Sequence, residues 1–456
     1  MEKDDQAQPG TLAATVAYNN QKNVKPNIIM SIKLRLIVMN FLQFAVWGAY
    51  LTSMSRFLGP AGLGAHIGIF YSVQGIVSIF MPALIGIIAD RWIPAQRLLG
   101  ICHLIAAAFM MTAGLYGLNA TGGVSFSIFF TLYTFSVAFY MPTLALSNSV
   151  AYSILERGGM DTVKAFPPIR VFGTVGFICT MWVVDILGFQ TSARQFIVSA
   201  SIGIALGLYA FTLPNCPVSP RGESKSLSQA LGLDAFKLFK DRTMALFFIF
   251  SMLLGVSLQI TNGFANPFIG SFEADPQYAN TFGVQHSNIL ISLSQISEAL
   301  CILLIPFFLK RYGIKRVILI AMTAWVLRFG LFGLGNPGSG LWLLILSMLV
   351  YGVAFDFFNV SGSLFVDKEA PHHLRSSAQG LFMLMTNGIG ATLGTLGAQW
   401  VVNQFTRWQE VMVNGQPKSL MIGDWQSVWF IFAGYALLVT ILFAILFRYK
   451  HVPEKG

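Results

Sequence analysis

Apolar stretches long enough for a helix to cross a hydrocarbon core about 30 Å thick recur along the whole of this 456-residue chain. Hydropathy marks twelve, near residues 36–58, 66–89, 98–118, 126–153, 167–187 and 195–213, then 243–269, 286–309, 317–335, 340–366, 378–402 and 426–448. With 55% hydrophobic and 11% charged residues, the chain lies far from soluble domains, in which roughly a quarter of residues are charged. No water satisfies backbone polar groups inside lipid, so spanning segments are either helices or strands of a closed barrel. Runs such as 302–309 and 341–350 lack the alternation of barrel strands. The expected fold is an all-α membrane protein of twelve transmembrane helices in two six-helix halves.

The polar segments divide the chain accordingly: a tail at 1–29, a first half at 30–213, a linker at 214–242, a second half at 243–449 and a tail at 450–456. Met30, followed at once by a basic flank and the first span, is a second candidate start. The linker carries Pro, Ser and mixed charges. The net charge of +10 is spread over short loops, which speaks for topology and against nucleic acid as a partner. Arg91, Arg97, Lys237, Lys240, Arg242, Lys310, Arg311, Lys315, Arg316, Lys368 and Arg375 fall on one side, against Arg56, Arg194, Arg407 and Lys418 on the other. Positive residues accumulate on the cytoplasmic side, so both termini are expected there.

An ionised side chain at mid-bilayer costs about 2.5–3.5 kcal/mol even on insertion scales, so Arg170, Glu298, Arg328 and Asp356 each need a partner or a purpose. Arg328 is equally readable as half of a structural ion pair. The others sit in polar stripes at helical spacing. Arg170, Thr174 and Phe177 share one face, as do Gln259 with Asn262, Gln295 with Glu298, and Tyr351 with Phe355 beside Asp356. Amides and carboxylates suit a solute rich in hydroxyls, while aromatic faces suit a flat ring. A nucleoside has both. Each stripe can also be read as helix-to-helix packing and polar glue.

Other signals carry less. Gly333 to Gly338, GLGNPG, matches GxGxxG but follows a membrane helix with no strand before it, and reads as an external turn. His372 and His373 lack metal-ligand spacing and read as a solvated loop. Cys102, Cys179, Cys216 and Cys301 show no CxxC pattern and read as packing residues. The chain has no P-loop, HExxH or GxSxG, so no cofactor, metal or enzymatic activity is expected.

After the second span the chain reads GIIADRWIPAQR, and its Gly86, Asp90, Arg91 and Arg97 resemble the loop signature of the major facilitator superfamily, with Trp92-Ile93-Pro94 where that family usually has a glycine. Such a turn can latch helix ends through charge-assisted hydrogen bonds. FPPIRVFGTVGF (166–177), FSMLLGVSLQITN (250–262), SQISEAL (294–300) and VYGVAFDFFN (350–359) are more specific. They resemble NupG-type nucleoside permeases, the nucleoside:proton symporter family of that superfamily, from about Met30 to His451. The resemblance implies proton-coupled import of purine and pyrimidine nucleosides across the inner membrane; a functional monomer in the lipid bilayer is the default expectation, on which the sequence itself is silent. The resemblance also implies substrate contacts by Arg170, Thr174, Phe177, Gln259, Asn262, Gln295, Glu298, Tyr351 and Phe355. Glu298 and Asp356 become the acids of proton coupling, without a choice between them. A non-transporting nucleoside sensor, a facilitator-type carrier of another polar solute and a membrane-embedded enzyme using the two acids remain the alternatives.

Overall fold

Helices form every crossing segment in the computed structural model, which describes residues 26–120, 123–218, 233–371 and 374–449. The first half comprises α1 (Pro26–Gly48), α2 (Ile67–Arg91), α3 (Ala95–Asn119), α4 (Phe126–Arg157), α5 (Thr162–Ile186) and α6 (Arg194–Ala210). In the second half the seventh crossing is α7 (Arg242–Leu258) and α8 (Ile260–Ser271), separated at Gln259. The eighth is α9 (Ser287–Cys301), which runs through a short turn into α10 (Ile305–Leu334). Within α10 the chain reverses at Gly313, whose φ of 75° suits glycine, so α10 holds the end of crossing eight and all of crossing nine. The tenth is α11 (Leu341–Glu369). The eleventh is α12 (Arg375–Met383), a π-helical stretch Leu384–Gly390, and α13 (Ala391–Phe405). A hairpin of β1 (Thr406–Val413) and β2 (Gln416–Gly423) leads to the twelfth, α14 (Trp425–Leu446).

Ten of these segments are long and apolar enough to span a membrane by themselves. The shorter two, α6 with 17 residues and α9 with 15, complete the twelve. Large apolar side chains face outward, including Leu303 at 73% exposure and Trp400 at 67%. That pattern suits a hydrocarbon solvent. Glycines let backbones touch where the site is built: a Cβ on Gly48 of α1 would lie 2.3 Å from the Phe177 carbonyl oxygen of α5.

Three expectations need correction. Helix α1 starts at Pro26, inside the expected tail, and ends at Gly48, where hydropathy carried the first span on to 58. The difference arises because 49–58, a mix of apolar residues with Thr52, Ser53, Ser55 and Arg56, is buried in protein, Met54 and Leu58 being fully enclosed. The hairpin is an unanticipated departure from an all-helical chain; its two-residue turn has Asn414 at φ 50° and Gly415 at φ 79°, the left-handed pair that tight hairpins require. Cys179 is exposed on α5 and does not pack inside, unlike the buried Cys102, Cys216 and Cys301. The expected linker is described only at its ends, where Cys216 N–H donates to Gln96 Oε1 at 2.9 Å and Leu233–Lys240 forms a 3₁₀ helix. His372 and His373 lie outside the described residues. The GLGNPG segment is a turn: Asn336 Oδ1 accepts from Gly338 N and Gly340 N, each at 3.0 Å.

The halves meet where α2 packs on α13 and the π-helical stretch, and where α5 packs on α9. Hydrogen bonds between them gather toward the face that bears the hairpin. Thr52 Oγ1 donates to Asn288 Oδ1 (3.1 Å), Gly68 N to Gln399 Oε1 (2.7 Å), Trp182 Nε1 to Ser292 Oγ (2.8 Å) and Asn266 Nδ2 to Gln190 Oε1 (3.2 Å). Arg56 pairs with Glu273 at 2.5 Å, Lys418 of the hairpin joins Glu273 at 2.7 Å, and His286 meets Asp185 at 2.5 Å. The Trp408 ring from the hairpin fills the space over Gly59 and Gly64, where a Cβ would lie within 2.1 Å of it.

Candidate functional site

Behind that closed face, six crossings converge on a cavity of about 210 Å³. Arg170, Thr174 and Phe177 enter from α5, and Gln259 and Asn262 from the break between α7 and α8. Gln295 and Glu298 come from α9, and Tyr351 and Phe355 from α11. All nine residues singled out by helical spacing therefore line one space. Asp356 does not line it. It is buried at 6% exposure on the adjoining face of α11, and its Oδ2 accepts no hydrogen bond among the described residues.

Local sequence explains how these side chains are presented. Pro167 and Pro168 lie within α5 and lack N–H groups, so they cannot bond the carbonyls four residues back, in the turn before Arg170. At Gln259 the helix is interrupted, and irregular backbone at membrane depth is tolerated where it lines a cavity. Asn262 Nδ2 donates to Gln259 Oε1 at 2.8 Å, which fixes both amides. The Arg170 guanidinium carbon stands 3.8 Å from the Phe44 ring centroid, a cation–π contact that orients it while leaving its edge N–H groups to the cavity. Aromatic rings form two walls. Trp47 meets Phe177 edge to face at 6.3 Å, and Tyr351 and Phe355 stack at 5.5 Å with 19° between their planes.

Sequence reasoning missed five lining residues: Phe44, Trp47, Leu51, Leu258 and Asn387. Asn387 had a signal, as a lone amide in an apolar run, now explained by its place in the π-helical stretch. The latch residues lie elsewhere. The side chain of Asp90 is outside the described residues, Arg91 ends α2, and Arg97 is exposed in the first turn of α3. A wider hollow of about 640 Å³ opens on the hairpin face. Its carboxylates are already engaged: Asp275 accepts from Gln277 N at 2.9 Å, and Asp424 accepts from Ser427 Oγ at 2.5 Å and Ser427 N at 3.0 Å. Those bonds hold the Asp424 carboxyl below its ordinary range. The central cavity combines a guanidinium, amides, a carboxylate and stacked rings.

Comparison with known proteins gives the same direction. The family described as nucleoside H+ symporter matches residues 30–452. The chain is 48% identical to nucleoside permease NupG of Escherichia coli strain K12, over 93% of this chain and 97% of that one. It is 47% identical to xanthosine permease of the same organism, over 93% and 98% respectively. A crystal structure of nucleoside transporter NupG superposes with a TM-score of 0.82 at 47% identity, covering 92% of this chain and all of the other. A D-xylose-proton symporter shares the fold at 14% identity, with a TM-score of 0.65.

Proposed function

The chain belongs to the nucleoside H+ symporter family, and from that premise we propose how it carries nucleosides and protons together through the cavity between its halves. It is a multi-pass transporter and not an enzyme. The observation that carries the reading is the cavity lining. Phe177 on one side and the Tyr351–Phe355 stack on the other provide faces for a base. Gln259, Asn262, Gln295 and Glu298 provide acceptors and donors for ribose hydroxyls, and Arg170 approaches from the opposite half. A solute that bonds both halves at once draws them together, which is how loading favours reorientation.

Proton coupling falls to Glu298 and Asp356. Neutralising a carboxylate removes the cost of enclosing a charge, so the carrier reorients when protonated and loaded together. For one proton, each pH unit across the membrane supports roughly tenfold accumulation. Each 100 mV adds about 2.3 kcal/mol per charge moved. The distribution of basic residues supports cytoplasmic termini and a hairpin on the outside of an inner membrane, an orientation in which this conformation is closed outward. The carrier works as a monomer, since each chain holds both halves of the cavity.

Exchange tests the substrate directly. Proteoliposomes preloaded with unlabelled uridine should take up labelled uridine transiently, and a 3'-deoxynucleoside should compete far more weakly, because a site built to bond a hydroxyl is left unpaired by its absence. Absence of counterflow with uridine and adenosine alike would contradict the reading.

A further inference from the structure

The transport account leaves Arg328 without a role. It lies on α10 at 2% exposure, and burying a guanidinium is costly unless it is fully bonded. The structure gives it no carboxylate among the described residues, so it is not half of an ion pair. Its two terminal nitrogens donate instead to neutral groups on three other elements, while Nε has no hydrogen-bond partner among the described residues. Nη1 donates to the Ser347 carbonyl at 2.8 Å and to Ser294 Oγ at 3.3 Å, and Nη2 donates to Thr261 Oγ1 at 3.3 Å. Ser347 Oγ returns a bond to the Arg328 carbonyl at 2.8 Å. The guanidinium carbon lies 4.5 Å from the centroid of the Tyr351 ring.

Each of these partners adjoins a cavity residue. Thr261 precedes Asn262, just past the break at Gln259; Ser294 precedes Gln295; Ser347 stands one turn before Tyr351 on α11. Tyr351 is itself covered by the guanidinium and met edge-on by Trp325 of the same α10, at 5.9 Å and 89°. We infer that Arg328 is a positioning residue for the substrate site: from behind the wall, it ties α8, α9 and α11 together and sets Asn262, Gln295 and Tyr351 in register. A planar fork is needed, because a lysine ammonium cannot stack on the ring and reach three acceptors on separate helices.

The inference rests on the nucleoside reading above, and its test separates the two. Equilibrium binding of labelled uridine and adenosine would be measured for purified wild type, Arg328→Lys and the double variant Thr261→Val/Ser294→Ala, with thermal melting in the same detergent. Arg328→Lys is expected to weaken both nucleosides by tenfold or more, and the double variant by severalfold, while melting moves by only a few degrees. If Arg328→Lys does not fold, the double variant, which keeps the cation, decides by the same criterion. Variants that bind as wild type does, or that lose affinity only in step with melting temperature, would overturn the inference. A wild type that binds neither nucleoside would defeat the nucleoside reading, and this inference with it.

Discussion

Glu298 and Asp356 differ in their surroundings: one carboxylate faces the cavity, while the other is buried beside it with an oxygen that accepts no bond among the described residues. The account therefore predicts different losses. Asp356→Asn should abolish uphill uptake driven by an imposed proton gradient and leave nucleoside exchange largely intact. Glu298→Gln should weaken binding as well, since it removes a charged acceptor from the wall. Both are read from gradient-driven uptake and counterflow in the same vesicles, and uphill uptake surviving the double substitution would refute the assignment. These residues were legible because a charge or amide in an apolar run is conspicuous. Phe44 and Trp47 were not, because an aromatic side chain in a membrane helix ordinarily packs, and only the convergence of α1 with α5 turns theirs into a wall.

At the scale of elements, the broken helices do most to make the cavity. Just before the interruption at Gln259, α7 packs closely on the eleventh crossing: a Cβ on Gly255 would lie 2.4 Å from the Thr386 carbonyl oxygen of the π-helical stretch, and a Cβ on Gly394 of α13 2.1 Å from the Val256 carbonyl oxygen. Gly394→Val forces backbone to move and should destabilise the second half by about 1–3 kcal/mol or more, seen as a lower melting temperature in detergent. An unchanged melting temperature would mean that this contact is loose. Hydropathy located all twelve crossings, yet neither break, because both lie inside segments that are apolar on average and arise from packing between helices. The hairpin had a readable cue in Asn414-Gly415, but its strands cover the outer ends of other helices, a context that local sequence does not contain. The reversal at Gly313, by contrast, followed from its basic flanks and glycine.

For the molecule as a whole, the two halves are held at the hairpin face by the Arg56–Glu273–Lys418 cluster, by the bonds of Asp185 and Gln190, and by Trp408 over two glycines. Alternating access requires these contacts to part while others form on the opposite face. The two-half architecture was legible from span counting and loop charge, whereas the conformation was not, because the same sequence must support both states. Nucleoside movement through this chain is driven by protons. Uptake of labelled uridine and adenosine into nucleoside-transport-deficient cells expressing this chain, with and without a protonophore, tests that coupling. Accumulation above the external concentration, abolished by the protonophore, is expected. Uptake that only equilibrates and ignores the protonophore, or no uptake of either nucleoside by cells shown to carry the protein, would contradict it.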